Sequence, residues 1–165
     1  MIDLAIKFHP LTAADEPQIE KLDERAFGPG RFARTAYRLR ECNTADLSLS
    51  FVARIGTLLI GANRMTPILI ESTNALLLGP LTVEPAFRSQ GVGEALVKHS
   101  LDAARSAGHS LVFLVGDEEY YSRMGFSTVP KGQITMPGPV DPYRLLYCEL
   151  IEDALETTIG RMRRK

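Results

Sequence analysis

The sequence is short of the residues that most often announce chemistry. Its 165 residues include two cysteines, Cys42 and Cys148, far apart and at no zinc or redox spacing, which excludes a disulfide framework and points to a reducing compartment. The three histidines, His9, His99 and His109, have no partner at i, i+4 and no cysteine or carboxylate at ligand spacing, so no metal is expected. Charge of one sign is lacking as well. Lys plus Arg total 19 against 20 Asp plus Glu, a net charge of −1, and this leaves no electrostatic footprint for nucleic acid. No apolar run reaches the roughly 18 residues of a bilayer span, and the N-terminus lacks the pattern of a signal peptide. A cytoplasmic protein with no membrane partner is expected. A G-x-S-x-G elbow is missing, as is a G-x-G-x-x-G turn after the first strand, which removes support for a serine hydrolase and for a dinucleotide oxidoreductase.

What is present reads as one globular domain over residues 1–165, with 45% hydrophobic and 24% charged residues and no repeat, linker or low-complexity tract. Leu4 to His9 predicts a first strand. Thr12 to Asp15 leads into a helix that Asp15 can cap, with Pro17 in its first turn, Ile19, Leu22 and Ala26 on one face, and Gly28-Pro29-Gly30 as its stop. A short helix from Phe32 to about Arg40 follows. Ser48 to Ile55, Thr57 to Met65 and Ala75 to Val83 predict three antiparallel strands, the last two joined by a polar segment.

From Gly91 to Ala107 the apolar residues recur at helical spacing, with Gly108 as a stop, and Leu111 to Val115 is an unbroken apolar run suited to a buried parallel strand. Residues 75–83, 91–107 and 111–115 thus predict a right-handed β-α-β crossover. A short helix over Glu118 to Met124 and strands at Ser127 to Val129 and Arg144 to Leu150 complete an α/β chain with a mixed, mostly antiparallel sheet. The terminal Arg161-Met162-Arg163-Arg164-Lys165 reads as a basic, frayed end that complements a helix dipole.

The densest signal runs from Leu81 to Gly93, out of a strand, past Pro85 and into a helix. Unpaired N–H groups at a helix mouth, together with the helix dipole, suit a phosphate or pyrophosphate. Gly91 and Gly93 remove side chains that would keep a ligand off those amides, and Arg88 adds positive charge at the rim.

With these residues in place, the sequence resembles the GCN5-related N-acetyltransferase (GNAT) superfamily. The acetyl-CoA signature of that family, V-x-P-x-x-R/Q-x-x-G-x-G/A between a strand and a helix, is matched by Val83-Glu84-Pro85-Ala86-Phe87-Arg88-Ser89-Gln90-Gly91-Val92-Gly93. A second mark, Y-x-x-x-G-F, is matched by Tyr121-Ser122-Arg123-Met124-Gly125-Phe126. The order of elements follows the family over nearly the whole chain. Leu78-Gly79-Pro80-Leu81, Gly116-Asp117 and Pro139-Val140-Asp141-Pro142 resemble a bacterial subgroup.

The resemblance implies the GNAT acyl-CoA N-acyltransferase fold and an acetyl-CoA-dependent N-acetyltransferase acting on a primary amine of a small molecule or peptide, by direct attack in a ternary complex. It implies that the amides of Arg88, Ser89, Gln90, Gly91, Val92 and Gly93 hold the pyrophosphate of CoA. The backbone of Leu81, Thr82 and Val83 would pair with the pantetheine arm, and a backbone N–H near Val83 would polarise the thioester. Tyr121 matches the family tyrosine that protonates the departing thiolate, or else is an aromatic packed on the crossover strand. Arg123 either reaches the cofactor phosphates or is an exposed helical arginine.

Many relatives hold a carboxylate four residues before the signature valine, where this chain has Gly79. Of the acidic residues near the expected site, Glu84, Asp117 and Glu118, none is expected to be indispensable, since a water chain to bulk solvent or an acceptor with a low amine pKa would serve without them. The same departure leaves a non-catalytic acyl-CoA sensor or adaptor as the alternative. Arg31, Arg34, Arg38 and Arg40 are either a wetted helix face or a surface for an acidic acceptor or the cofactor's 3′-phosphate, while Phe27 and Phe32 either border an acceptor pocket or pack in the core. A homodimer is a further expectation.

Overall fold

A computed structural model describes residues 5–165. The first strand, β1, is Lys7–Pro10; the expected start at Leu4 lies outside the described residues. Helix α1 covers Glu16–Phe27. Its entry differs from the sequence expectation, because the Asp15 carboxylate turns back to accept from the Thr12 backbone N–H at 2.8 Å and Arg54 donates to its other oxygen. The capping box therefore sits one short turn earlier, with Thr12 as its first residue. The helix ends at Gly28, whose φ of 64° favours glycine. The second helix is split into a 3-10 turn at Pro29–Ala33 and α2 at Thr35–Arg40.

Strands β2 (Phe51–Ile55), β3 (Leu58–Ile70) and β4 (Thr73–Val83) form the expected antiparallel meander. Two boundaries move. Residues Leu47–Leu49 form a 3-10 turn capped by Asp46 and not the start of a strand. The segment expected as a polar connection is mostly strand, since β3 continues to Ile70 before the chain turns. Helix α3 (Val92–Ser106) then crosses to β5 (Leu111–Val115), which lies parallel to β4. After α4 (Glu118–Tyr121) come β6 (Ser127–Thr128), β7 (Ile134–Thr135), β8 (Leu145–Glu149) and β9 (Gly160–Arg164). The paired order is β1-β2-β3-β4-β5-β8-β6, with β9 joined to both β3 and β7.

Strand β9 overturns the reading of the C-terminus as a frayed end. It pairs with β3 at Ile68↔Arg164, Leu69↔Arg163 and Ile70↔Met162, and Met162 is wholly buried. Alternation is the physical reason: Met162 faces the core while Arg161 and Arg163 point to water, so a two-faced strand has the composition of a basic tail.

The apolar run in β4 is covered on both faces. Leu76 and Leu78 pack with Val97, Leu101 and Ala104 of α3, while Ala75 and Leu77 face Phe113 and Met162 on the other side. Burial of each such aliphatic chain contributes about 1.5–3 kcal/mol, which holds the middle of the sheet as a rigid platform for what lies at its end.

Candidate active site

Strands β4 and β5 pair only at Leu76↔Val112 and Leu77↔Phe113. Beyond that point they part, although β4 continues to Val83 and β5 to Val115. An irregularity coincides with the parting: Met65 faces Leu78 and Asn63 faces Leu81, so three steps along β4 oppose two along β3. Gly79 and Pro80 occupy the extra length, and the bond between them is cis. The edge of β4 from Leu78 onward is therefore open toward β5 in the middle of the sheet. Such an edge is a template for an extended ligand.

At one end of this opening lies the Arg88 to Gly93 loop. Ser89 has φ 64° and Gly91 φ 80°, and this alternation of backbone hand turns successive N–H groups outward. Among the described residues no group accepts from the N–H of Ser89, Gln90, Gly91, Val92 or Gly93; the first bond of α3 runs from Ala95 N–H to the Gly91 carbonyl. The two glycines do different work. A side chain at Gly91 would enter open space at the loop mouth, whereas the room beside Gly93 is filled by the Tyr120 hydroxyl. The expectation that Gly93 clears space for a ligand is thus modified, because it clears space for Tyr120. Arg88 bends back to the Val83 carbonyl at 3.3 Å, and Arg123 lies beside the first turn of α3, 3.2 Å from Glu94 and over the Tyr120 ring.

At the other end is a cavity of about 650 Å³. Gly79 and Leu81 line it from β4, Gly116 from just past β5, Tyr121 from α4, Asp23 from α1, Arg40 from α2, and Arg31 and Arg34 from the segment between those two helices. The Tyr121 ring packs against Gly116, where a Cβ would meet its edge at 2.6 Å, and meets Tyr120 and Phe126 edge to face. Burial pushes its phenol up to about 12, so it stays protonated and keeps its O–H to donate near neutral pH. Packing and exposure to the cavity hold at once for Tyr121.

Of the acidic residues singled out in the sequence, Glu84 is bound to Arg25 at 2.8 Å and is not part of the cavity wall. Glu118 is exposed and also outside it, while Asp117 is an exposed residue of the lining. The carboxylate that sequence reasoning missed is Asp23. It is 5% exposed, its Oδ1 accepts from the Thr82 hydroxyl at 2.6 Å, and Oδ2 has no hydrogen-bond partner among the described residues. Desolvation raises its carboxyl above the ordinary range, against the Thr82 hydrogen bond and the charge of Arg64, which act to lower it. An aspartate on the buried face of α1, beside Ile19 and Leu22, was the available signal.

Arginines 31 to 40 do not form one wetted face. Arg38 alone turns away, to the Pro137 carbonyl at 3.0 Å, while Arg31, Arg34 and Arg40 line the cavity. Phe27 and Phe32 border it too, under Arg34 and Arg31 respectively. No cysteine is part of the lining, and Cys148 is buried with its thiol pushed up by desolvation. Among the described residues no group of three or more His, Cys, Asp or Glu side chains is arranged to hold a metal ion, and no helix is long and apolar enough to cross a membrane.

A parallel crossover whose two strands part next to a helix mouth with free amides defines the acyl-CoA N-acyltransferase class. A sequence model of the acetyltransferase (GNAT) domain matches residues 46–128, and the chain belongs to this family of N-acetyltransferases. It is 28% identical over 148 residues to Escherichia coli K12 "Uncharacterized N-acetyltransferase YhbS", covering 88% of each chain. It is 31% identical over 123 residues to "Uncharacterized N-acetyltransferase YjhQ" of the same organism, covering 72% of this chain and 68% of that one. The crystal structure of YhbS in complex with CoA superposes with a TM-score of 0.84 at 25% identity, covering 98% of this chain and 91% of that one. A GNAT family acetyltransferase from Brucella melitensis, in complex with acetyl-CoA, gives 0.63 at 25% identity, covering 87% and 95%.

Proposed function

We propose that this protein transfers the acetyl group of acetyl-CoA to the primary amine of a small molecule or peptide, with both substrates bound at once. The observation that carries this reading is the opening between β4 and β5, with a loop of five free amides at one end and a cavity at the other. The YhbS and Brucella relatives, crystallised with CoA and acetyl-CoA, support it.

In this reading the N–H groups of Ser89 to Gly93 hold the pyrophosphate, without the expected Arg88 amide, which donates to the Pro85 carbonyl at 3.3 Å; the side chains of Arg88 and Arg123 are flanking cations. The free edge of Leu81 to Val83 pairs with the pantetheine arm, and the backbone near Val83 polarises the thioester. The acetyl thioester then reaches the cavity. There the amine nitrogen attacks the acyl carbon, the carbon–sulfur bond breaks, and the amine's proton passes to Asp23 directly or through one water. Tyr121 donates a hydrogen bond to the departing sulfur. Burial holds its phenol well above the range of an ordinary thiol, so its contribution is hydrogen-bond stabilisation of the leaving thiolate. Asp23 replaces the carboxylate missing at Gly79, from the helix side of the same cavity.

Thermal denaturation with and without acetyl-CoA, paired with thiol release over a panel of amines, tests the reading. A melting shift together with amine-dependent release is expected. A shift without release from any amine would make the protein a binding module.

A further inference from the structure

Arg40 ends α2 and lines the cavity together with Leu78 to Leu81 of β4, where the strands part. A side chain at Gly79 would meet its Nη2 at 2.8 Å, so its guanidinium fills the space that a side chain at position 79 would take. Its Nε is buried without a hydrogen-bond partner, and no described residue accepts from or forms an ion pair with the guanidinium. Burying a charge in this way is costly unless something pairs with it. Burial pushes the group down only to about 10, with Asp23 the chief charge opposing that shift, so it remains a cation at neutral pH.

The other cavity charges are differently placed. Arg31 is bound to Glu20 and Arg64 to Glu16, both at 2.6 Å. Arg34 lies over the Phe27 ring, and the Arg144 side chain, like that of Arg40, has no carboxylate partner among the described residues. Five arginines thus line the cavity against the three carboxylates of Glu20, Asp23 and Asp117. Positive charge is in excess, and the one guanidinium buried without a partner borders the reacting end.

We infer that the acceptor is a primary amine that also carries an anionic group, a carboxylate or a phosphate, and that Arg40 binds that group. This rests on the acetyl-transfer reading above. The buried acid Asp23 and the buried, unpaired Arg40 in the same cavity complement a molecule that carries both an amine and an anion: the amine goes to Asp23 and the anion to the fork of Arg40, which suits a planar carboxylate or a phosphate equally.

The test is acetyl-CoA turnover with glycine, β-alanine, γ-aminobutyrate and glutamate, each against its carboxamide, and with 2-aminoethyl phosphate. At least one anionic amine should exceed its neutral counterpart by tenfold or more in kcat/KM; whether carboxylate or phosphate leads identifies the source of the charge. In R40Q that preference should collapse through a loss of about 10–100-fold for the anionic amine alone, the scale of a charge-assisted hydrogen bond. The acetyl-CoA melting shift should stay as in the wild type. Equal use of anionic and neutral amines by the wild type would overturn the inference, and this needs no variant to fold. An equal loss in R40Q for both kinds of amine would also overturn it and assign Arg40 to the oxygen of the tetrahedral intermediate. Calorimetry with the N-acetylated acids and amides under saturating CoA separates the two readings. Anion-selective binding that R40Q abolishes, without turnover of any amine, would sink the acetyl-transfer reading and leave the anion site standing. Turnover without anion selectivity would do the reverse.

Discussion

The loop from Val83 to Gly93 binds with backbone, whereas the cavity facing α1 and α2 binds with side chains. The loop's donors are consecutive amides held by two residues of positive φ, all within one stretch of chain. The cavity takes Asp23 and Arg40 from two helices, Gly79 from β4, Tyr121 from α4 and Arg144 from the approach to β8. A site made of amides tolerates changes in its side chains but depends on backbone shape. A site made of side chains depends on the fold that brings them together, and each member can be replaced alone.

The sharpest break of this contrast is Gly91→Glu. Residue 91 needs φ 80°, where a side chain is strained, and an anion there would stand at the mouth of the free amides. The acetyl-CoA melting shift is expected to vanish, with turnover falling below detection. A wild-type shift in this variant would show that the amides are not the cofactor site.

On the cavity side the largest effect is expected from Asp23→Asn, which keeps an oxygen for the Thr82 hydroxyl but cannot take a proton. Turnover should fall about 10²–10⁴-fold, the range for a positioned acid–base group. Stability should move in the opposite direction. Because the native carboxyl is raised, its protonated form favours the fold below the ordinary value near 3.9, and that contribution is lost as pH rises through the raised native value. Asparagine carries no such loss, so its melting temperature at pH 7 should exceed that of the wild type, with the gap closing toward pH 3. A variant that is both slower and less stable would point to a structural role for Asp23.

Tyr121→Phe comes next. It keeps the ring on Gly116 and removes only the donor, so kcat should drop about 10²-fold, the scale of losing one positioned hydrogen-bond donor to developing negative charge, with the acetyl-CoA melting shift unchanged. Equal kcat in the two proteins would leave Tyr121 with packing alone.

The same contrast explains what could be read from the chain. The β-α-β unit and its loop were legible because Leu111 to Val115, the helical spacing after Gly91 and the Val83 to Gly93 motif are contiguous patterns. Asp23 was hidden because an aspartate in an amphipathic helix reads as its wet face, and only the hydroxyl of Thr82, 59 positions away, marks it as buried. Arg40 was hidden for a similar reason: four arginines in ten residues look alike in sequence, and it is Gly79, whose missing side chain gives one of them room, that separates it from Arg38. Strand β9 failed on composition, as a single buried methionine among arginines carries too little pattern to outweigh their charge.

The smallest effects are expected from the acids near the loop, and they sharpen the comparison by showing which carboxylates are dispensable. Glu84→Gln breaks a pair with Arg25 in which the arginine is 57% exposed, an interaction of about 0–1 kcal/mol that has no route to the cavity. Asp117→Asn and Glu118→Gln change solvated charges that salt already screens. Each variant should keep kcat/KM within about threefold of the wild type, a span of some 0.6 kcal/mol in the barrier. Two acceptor amines of different basicity make the test complete. The limb of the pH profile that belongs to the amine should move with the amine in all three variants, because none of them removes the carboxylate that takes the amine's proton. The limb that belongs to Asp23 should stay fixed between the two amines and persist in Glu84→Gln, Asp117→Asn and Glu118→Gln. A fixed limb that disappears in Asp117→Asn would transfer the proton-accepting role from the buried helix face to the exposed rim.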